Sequence, residues 1–67
     1  MITIKVNQED HQVLENVTLQ EFIELLKIQT NGIAIAINST VIKRSDWSLK
    51  LLQNNDDILI IKSTQGG

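Results

Sequence analysis

Apolar and polar residues alternate from the start of the chain, with Ile2, Ile4 and Val6 on one side and Thr3 and Lys5 on the other. That is the period of a half-buried strand. Asn7, Gln8, Glu9 and Asp10 form a polar break of hairpin-loop length, and His11 to Leu14 read as a weaker second strand in which only Val13 and Leu14 are apolar. The pattern predicts an opening β-hairpin.

The period then changes. Thr18 followed three residues later by Glu21 is a capping box, in which each side chain satisfies a backbone N–H at a helix start. Val17 before the cap and Phe22 after it have the spacing of a hydrophobic staple. Leu19, Phe22, Ile23 and Leu26 make one apolar stripe, Leu25 widens it, and Asn31-Gly32 closes the segment with residues that tolerate the left-handed backbone of a helix exit. Glu21, Glu24 and Lys27 read as the wetted face of the same helix.

Ile33 to Ile37 predict a third strand, with the three isoleucines on one face and Ala34 and Ala36 on the other. Asn38, Ser39 and Thr40 make a turn, and Val41-Ile42 begin a short fourth strand. Residues 43–53 fit neither period; a helical turn capped by Ser45 is expected there, with Trp47 packing the segment onto the sheet. Asn54 to Asp57 form a turn in which Asn55 stands where a glycine would be comfortable. Ile58 to Ile61 are continuously apolar, as in a central strand covered on both faces.

One amphipathic helix for one sheet implies a two-layer α+β domain. The last strand, being the most apolar, is expected mid-sheet beside and parallel to the first. This order is that of the ubiquitin-like β-grasp, a mixed sheet of four to five strands packed on one helix. Residues 1–62 make the domain, and 63–67 a polar, flexible tail ending in Gly66-Gly67.

Composition narrows the function. A chain of 67 residues buries only about 60% of the surface it exposes when unfolded, enough for marginal stability. It has no cysteine, which excludes disulfides, thiolate metal sites and an internal thioester. A net charge of −2 and a pI near 5.1 argue against nucleic acid as a partner. No apolar run approaches the roughly 18 residues of a membrane span, so a soluble, cytoplasmic domain is expected. His11 is the sole histidine and reads as a solvated strand residue. With no nucleophile–base set, metal spacing or phosphate loop, chemistry by this chain alone is not expected, and it binds no cofactor of its own.

Two glycines at the last two positions arise by chance in roughly 0.5% of chains. They can be an incidental terminus or a tail built to enter another protein's active site, since glycine passes narrow channels and takes dihedrals closed to other residues. Residues 63–67 reach about 17 Å when extended. The reactive group would be the Gly67 α-carboxylate, ionised at neutral pH and a poor acyl donor until an external ATP-dependent enzyme adenylates it. Without cysteine, any sulfur the chain carries must sit there.

Asn38, Ile42, Arg44 and Trp47 fit the pattern N-x-x-x-[VI]-x-R-x-x-W, and Leu52 to Asp56 resemble an L-x-D-G-D turn ahead of the last strand. With the Gln65-Gly66-Gly67 ending, these motifs resemble the ThiS family, sulfur carriers of thiamine biosynthesis related to ubiquitin, over essentially the whole chain. Ser39, Lys43 and Asn54-Asn55 depart from that family's usual Gly, Pro and Asp-Gly, all at turns. The resemblance implies three partners: a ThiF-like adenylyltransferase that consumes ATP, a cysteine desulfurase whose persulfide supplies sulfur, and a ThiG-like thiazole synthase that takes it from a C-terminal thiocarboxylate. It implies that Gly67 and Gly66 form the carrier site, with Ala36, Leu59, Ile61 and Gln65 in partner contact. Counting back from the glycines as in ubiquitin, Ile58 and Ile60 face the helix while Leu59 and Ile61 face outward beside Ala36. Arg44 is expected to pair with a partner carboxylate or with Asp46. Other readings of the same ending are a molybdopterin-type carrier, which lacks the R-x-x-W stretch, a ubiquitin-like protein modifier, and a passive interaction domain.

Overall fold

The first two strands, β1 (Ile2–Val6) and β2 (Glu9–Val13), pair antiparallel from Val6↔Glu9 to Ile2↔Val13 in a computed structural model that describes residues 1–62. Their connection is shorter than the four-residue break expected from sequence. Only Asn7 and Gln8 lie in the turn, both at positive φ (50° and 73°), as a type I′ hairpin requires. Glu9 and Asp10 are strand residues because pairing to β1 satisfies their backbone, and an edge strand tolerates polar side chains. Leu14 falls outside the strand and is exposed.

Helix α1 (Leu19–Leu26) begins as expected: Thr18 Oγ1 accepts the Glu21 N–H at 3.1 Å, and Glu21 Oε1 accepts the Thr18 N–H at 2.9 Å. Leu19, Phe22 and Ile23 are buried against the sheet, worth about 1.5–3 kcal/mol each in removal from water. The C-terminus departs from expectation. Lys27, at φ 55°, ends the helix by donating its N–H to Glu24 O at 3.2 Å. Gln29 and Thr30 offer nothing to prolong the stripe, and Gly32 (φ 75°) instead turns the chain into the next strand. Leu25 points to solvent rather than widening the stripe.

Strands β3 (Ile33–Ile37) and β4 (Thr40–Ile42) form a second hairpin around Asn38 and Ser39, again both at positive φ. A 3-10 turn at Arg44–Asp46 follows; Lys43 precedes it with no side-chain cap, so Ser45 does not play the capping role expected. The irregular crossover is nevertheless fastened. Trp47 is buried and donates Nε1–H to Ile42 O at 3.1 Å. Lys50 O and Trp47 O accept the N–H groups of Leu19 and Gln20 at 2.8 and 3.0 Å, occupying donors that the helix cannot satisfy internally.

Strand β5 (Asp57–Lys62) completes a five-stranded sheet of order β2-β1-β5-β3-β4. It is parallel to β1 and antiparallel to β3, the arrangement expected of the ubiquitin-like β-grasp. The core joins Ile4, Val6, Val13, Ile35, Ile37 and Ile58 of the sheet to the helix stripe, Trp47 and Leu52. Only that face of β5 is covered; the other carries half-exposed Leu59 and Ile61, so the continuous apolar run does not mark a strand buried on both sides. No helix of the described residues is long and apolar enough to cross a membrane. The expected tail, 63–67, lies outside the described residues.

Candidate functional site

β5 leads to the tail, and two asparagine turns hold it from either side. On the β1 side, Lys5 N–H donates to Asp56 O at 2.8 Å, Asn7 N–H to Ile58 O at 2.9 Å, and Ile60 N–H to Asn7 Oδ1 at 2.8 Å. On the β3 side, Asn38 N–H donates to Asp57 O at 2.8 Å while Asn38 Oδ1 accepts the Asp57 N–H at 3.0 Å. Asn38 Nδ2 also donates to the buried Asp56 at 3.1 Å, and Asp56 Oδ2 takes the Gln53 N–H at 2.8 Å. Asn54 and Asn55 close the turn onto Thr3, with Asn55 at φ 73°, a left-handed conformation that glycine adopts without strain. The strand therefore starts from a rigid clamp and runs past the end of β1, whose last paired residue, Val6, stands opposite Ile58.

The register decides which side chains share the sheet face opposite the helix. Ile35↔Ile60 and Ile37↔Ile58 point into the core, so Ala36↔Leu59 and Ala34↔Ile61 lie on the outer face. Val41, opposite Ala36 on β4, extends the row to the sheet edge. Leu59 is 48% exposed, Ile61 45% and Val41 66%, whereas Ala36 is only 7% exposed. Ala36 is thus the floor of the patch rather than a projecting contact: its methyl group is too short to rise above the longer side chains around it. Lys5 and Asp57, paired across β1 and β5, form a polar border. An apolar strip of this kind, continuous with the strand that carries the tail, can bury itself against an apolar partner surface.

The structure brings Ala36, Leu59 and Ile61 together; Gln65, Gly66 and Gly67 lie outside the described residues. Val41 was missed, although its alternation with Ile42 in a strand beside β3 was the signal that places it outward. Arg44 does not pair with Asp46. Its guanidinium lies 4.8 Å from the Trp47 ring centroid and donates from Nη2 to Thr30 O, tying the turn to the loop after the helix. His11, expected in solvent, faces inward because its register partner is Ile4, and its ring meets Phe22 edge-on at 6.1 Å. Among the described residues no group of three or more His, Cys, Asp or Glu is placed to hold a metal ion.

Comparison with known proteins agrees with this architecture. A family model described as ThiS family matches residues 2–67. The chain is 31% identical over 64 residues to the sulfur carrier protein ThiS of Escherichia coli (strain K12), covering 96% of this chain and 97% of that one. It superimposes on the crystal structure of a thiamine biosynthesis protein (ThiS) from Geobacter metallireducens with a TM-score of 0.87 and 20% identity, over 98% of this chain and 100% of the other, a likeness of fold. Matched by the family model from its second residue onward and to that relative over nearly the full length of both chains, the chain belongs to the ThiS family.

Proposed function

We propose that this protein is a sulfur carrier of thiamine biosynthesis and that the Gly67 α-carboxylate is its carrying group. The observation that carries the reading is the outer apolar strip in which Leu59 and Ile61 lie on the strand that precedes the Gln65-Gly66-Gly67 sequence and Val41 lies two strands away on β4, across Ala36 of β3. A partner that covers this strip holds the tail at its own active site, and the asparagine clamps fix where β5 points.

The chemistry requires activation. A ThiF-like adenylyltransferase joins the carboxylate to the α-phosphate of ATP, releasing pyrophosphate. The outer sulfur of a cysteine desulfurase persulfide attacks the acyl carbon and AMP leaves; a second thiol then cleaves the resulting acyl disulfide, forming a disulfide with the desulfurase sulfur and freeing the thiocarboxylate. A ThiG-like thiazole synthase then takes the sulfur into its substrate, and an oxygen from that substrate's carbonyl or from water restores the carboxylate. In this cycle the chain is a cosubstrate working in the cytoplasm, with the catalytic groups on its partners. Leu59 and Ile61 dock, Ala36 provides the small floor that lets them seat, and Gln65, Gly66 and Gly67 thread the partner's channel, where the missing Cβ atoms of the glycines permit close approach.

ATP–pyrophosphate exchange by the adenylyltransferase tests the reading. Exchange should depend on this protein, vanish when Gly67 is deleted, and weaken strongly with Leu59→Asp. Exchange unaffected by removal of Gly67 would refute the assignment.

A further inference from the structure

The loop between α1 and β3 contains the chain's single Asn-Gly pair, Asn31-Gly32. Both residues are exposed and lie in a turn outside any helix or strand. Asparagine is chemically labile when the next backbone nitrogen can approach its side-chain amide, and glycine, lacking Cβ, leaves that approach open. The other asparagines are guarded. Asn7 Oδ1 is engaged by Ile60 N–H, Asn38 by Asp56 and Asp57, and Asn54 Oδ1 by Thr3 N–H. Asn16 is followed by the β-branched Val17. The Asp56 N–H that follows Asn55 donates to Gln53 O at 3.1 Å. Among the described residues no hydrogen bond engages the Asn31 side chain.

We propose that Asn31-Gly32 is a site of spontaneous covalent modification. The Gly32 amide nitrogen attacks Asn31 Cγ and gives up its proton; the side-chain nitrogen leaves with it as ammonia, and a five-membered succinimide forms. Water opens the ring at either carbonyl, giving isoaspartate in excess over aspartate. No oxidant or cofactor enters. Each event replaces a neutral amide by a carboxylate, and the isoaspartyl form also adds a methylene to the main chain.

Position gives this ageing reaction a consequence. Asn31 and Lys62 line the same cleft of about 160 Å³, and Ile33, two residues after Asn31, pairs with Lys62. The new carboxylate thus appears beside the last cation before the tail, and the lengthened main chain sits just ahead of the β3 register that aligns β5.

Incubation of the full-length protein in mildly alkaline buffer at physiological temperature, followed by peptide mapping, tests the proposal. The expected result is a gain of about 1 Da per event, confined to the peptide holding Asn31 and split between isoaspartate and aspartate. Asn31→Gln should abolish that gain while leaving the fold intact. An unmodified Asn31 under conditions in which the urea-unfolded chain reacts would overturn the proposal, as would modification appearing first at Asn38 or Asn55.

Discussion

Asn7 Oδ1 accepts the backbone N–H of Ile60 at 2.8 Å, although the two residues lie 53 positions apart. β1 has already turned away at this point, so a side chain supplies the rung that a longer strand's carbonyl would have supplied. Asn7 meets two demands at once: it tolerates φ 50° in the hairpin and extends the β1 edge along β5.

That double role makes Asn7→Gly informative, because glycine keeps the turn and removes only the acceptor. The expected loss is about 0.5–1.5 kcal/mol in urea unfolding, with hydrogen exchange accelerated at the Ile60 amide ahead of its neighbours. Unchanged protection at Ile60 would mean that solvent serves as well as the asparagine.

The helix start depends on a reciprocal pair. Replacing Thr18 by Ala removes the acceptor for the Glu21 N–H and should cost about 1 kcal/mol. Chemical denaturation with an unchanged m-value is the appropriate check, since a cap lost from an otherwise intact fold moves the midpoint alone.

At the other end of α1, Lys27 adopts the left-handed conformation at φ 55°. Lys27→Gly should therefore stabilise the domain by about 0.5–1 kcal/mol, whereas Lys27→Val should destabilise it. Comparison of the two melting midpoints with wild type reads both signs.

Trp47→Phe removes two contributions at once: Ile42 O loses its Nε1–H donor, and the smaller ring leaves a cavity where the buried indole lay, so a loss of at least about 1–3 kcal/mol is expected. A separate double-mutant cycle of Arg44→Ala with Trp47→Leu, which removes the π-face, would show the cation–π contact, at an exposed guanidinium, contributing about 0.5–1 kcal/mol.

Most of the architecture was legible because it rests on local signals. The capping box placed the helix start, the Ile33–Ile37 alternation placed β3, and the apolar run at residues 58–61 placed the last strand mid-sheet. The structure departs from the local pattern where pairing partners decide the outcome. Glu9 and Asp10 carry loop chemistry, yet the type I′ turn at Asn7 and Gln8 commits them to β2. Leu25 follows Phe22 at helical spacing, but it is left exposed beside the stripe that Leu19, Phe22 and Ile23 bury. His11 turned inward because its neighbour across the ladder is Ile4, a relationship invisible along the chain. In the candidate site, alternation separated Leu59 and Ile61 from the core, whereas the burial of Ala36 depends on the heights of side chains from adjacent strands. Asn38, Arg44 and Trp47 matched a family motif without revealing their work; in the structure each fastens a turn or the crossover segment.

Replacing Leu59 by Asp places a charge in the outer strip without touching the core. Stability should fall by about 1 kcal/mol, since aspartate suits a strand poorly, with the fold retained, while binding to the adenylyltransferase weakens at least roughly tenfold, a loss of about 1.4 kcal/mol. Parallel calorimetric unfolding and binding titration separate the two effects.

The central claim concerns the chemical state of Gly67. Intact-mass measurement after incubation with the adenylyltransferase, ATP, a cysteine desulfurase and cysteine should show one terminal oxygen exchanged for sulfur, a gain of about 16 Da that is absent without ATP. Fragmentation should place the gain at Gly67. A chain that retains its original mass under these conditions, or that appears instead as an amide conjugate on another protein's lysine, would contradict the sulfur-carrier account.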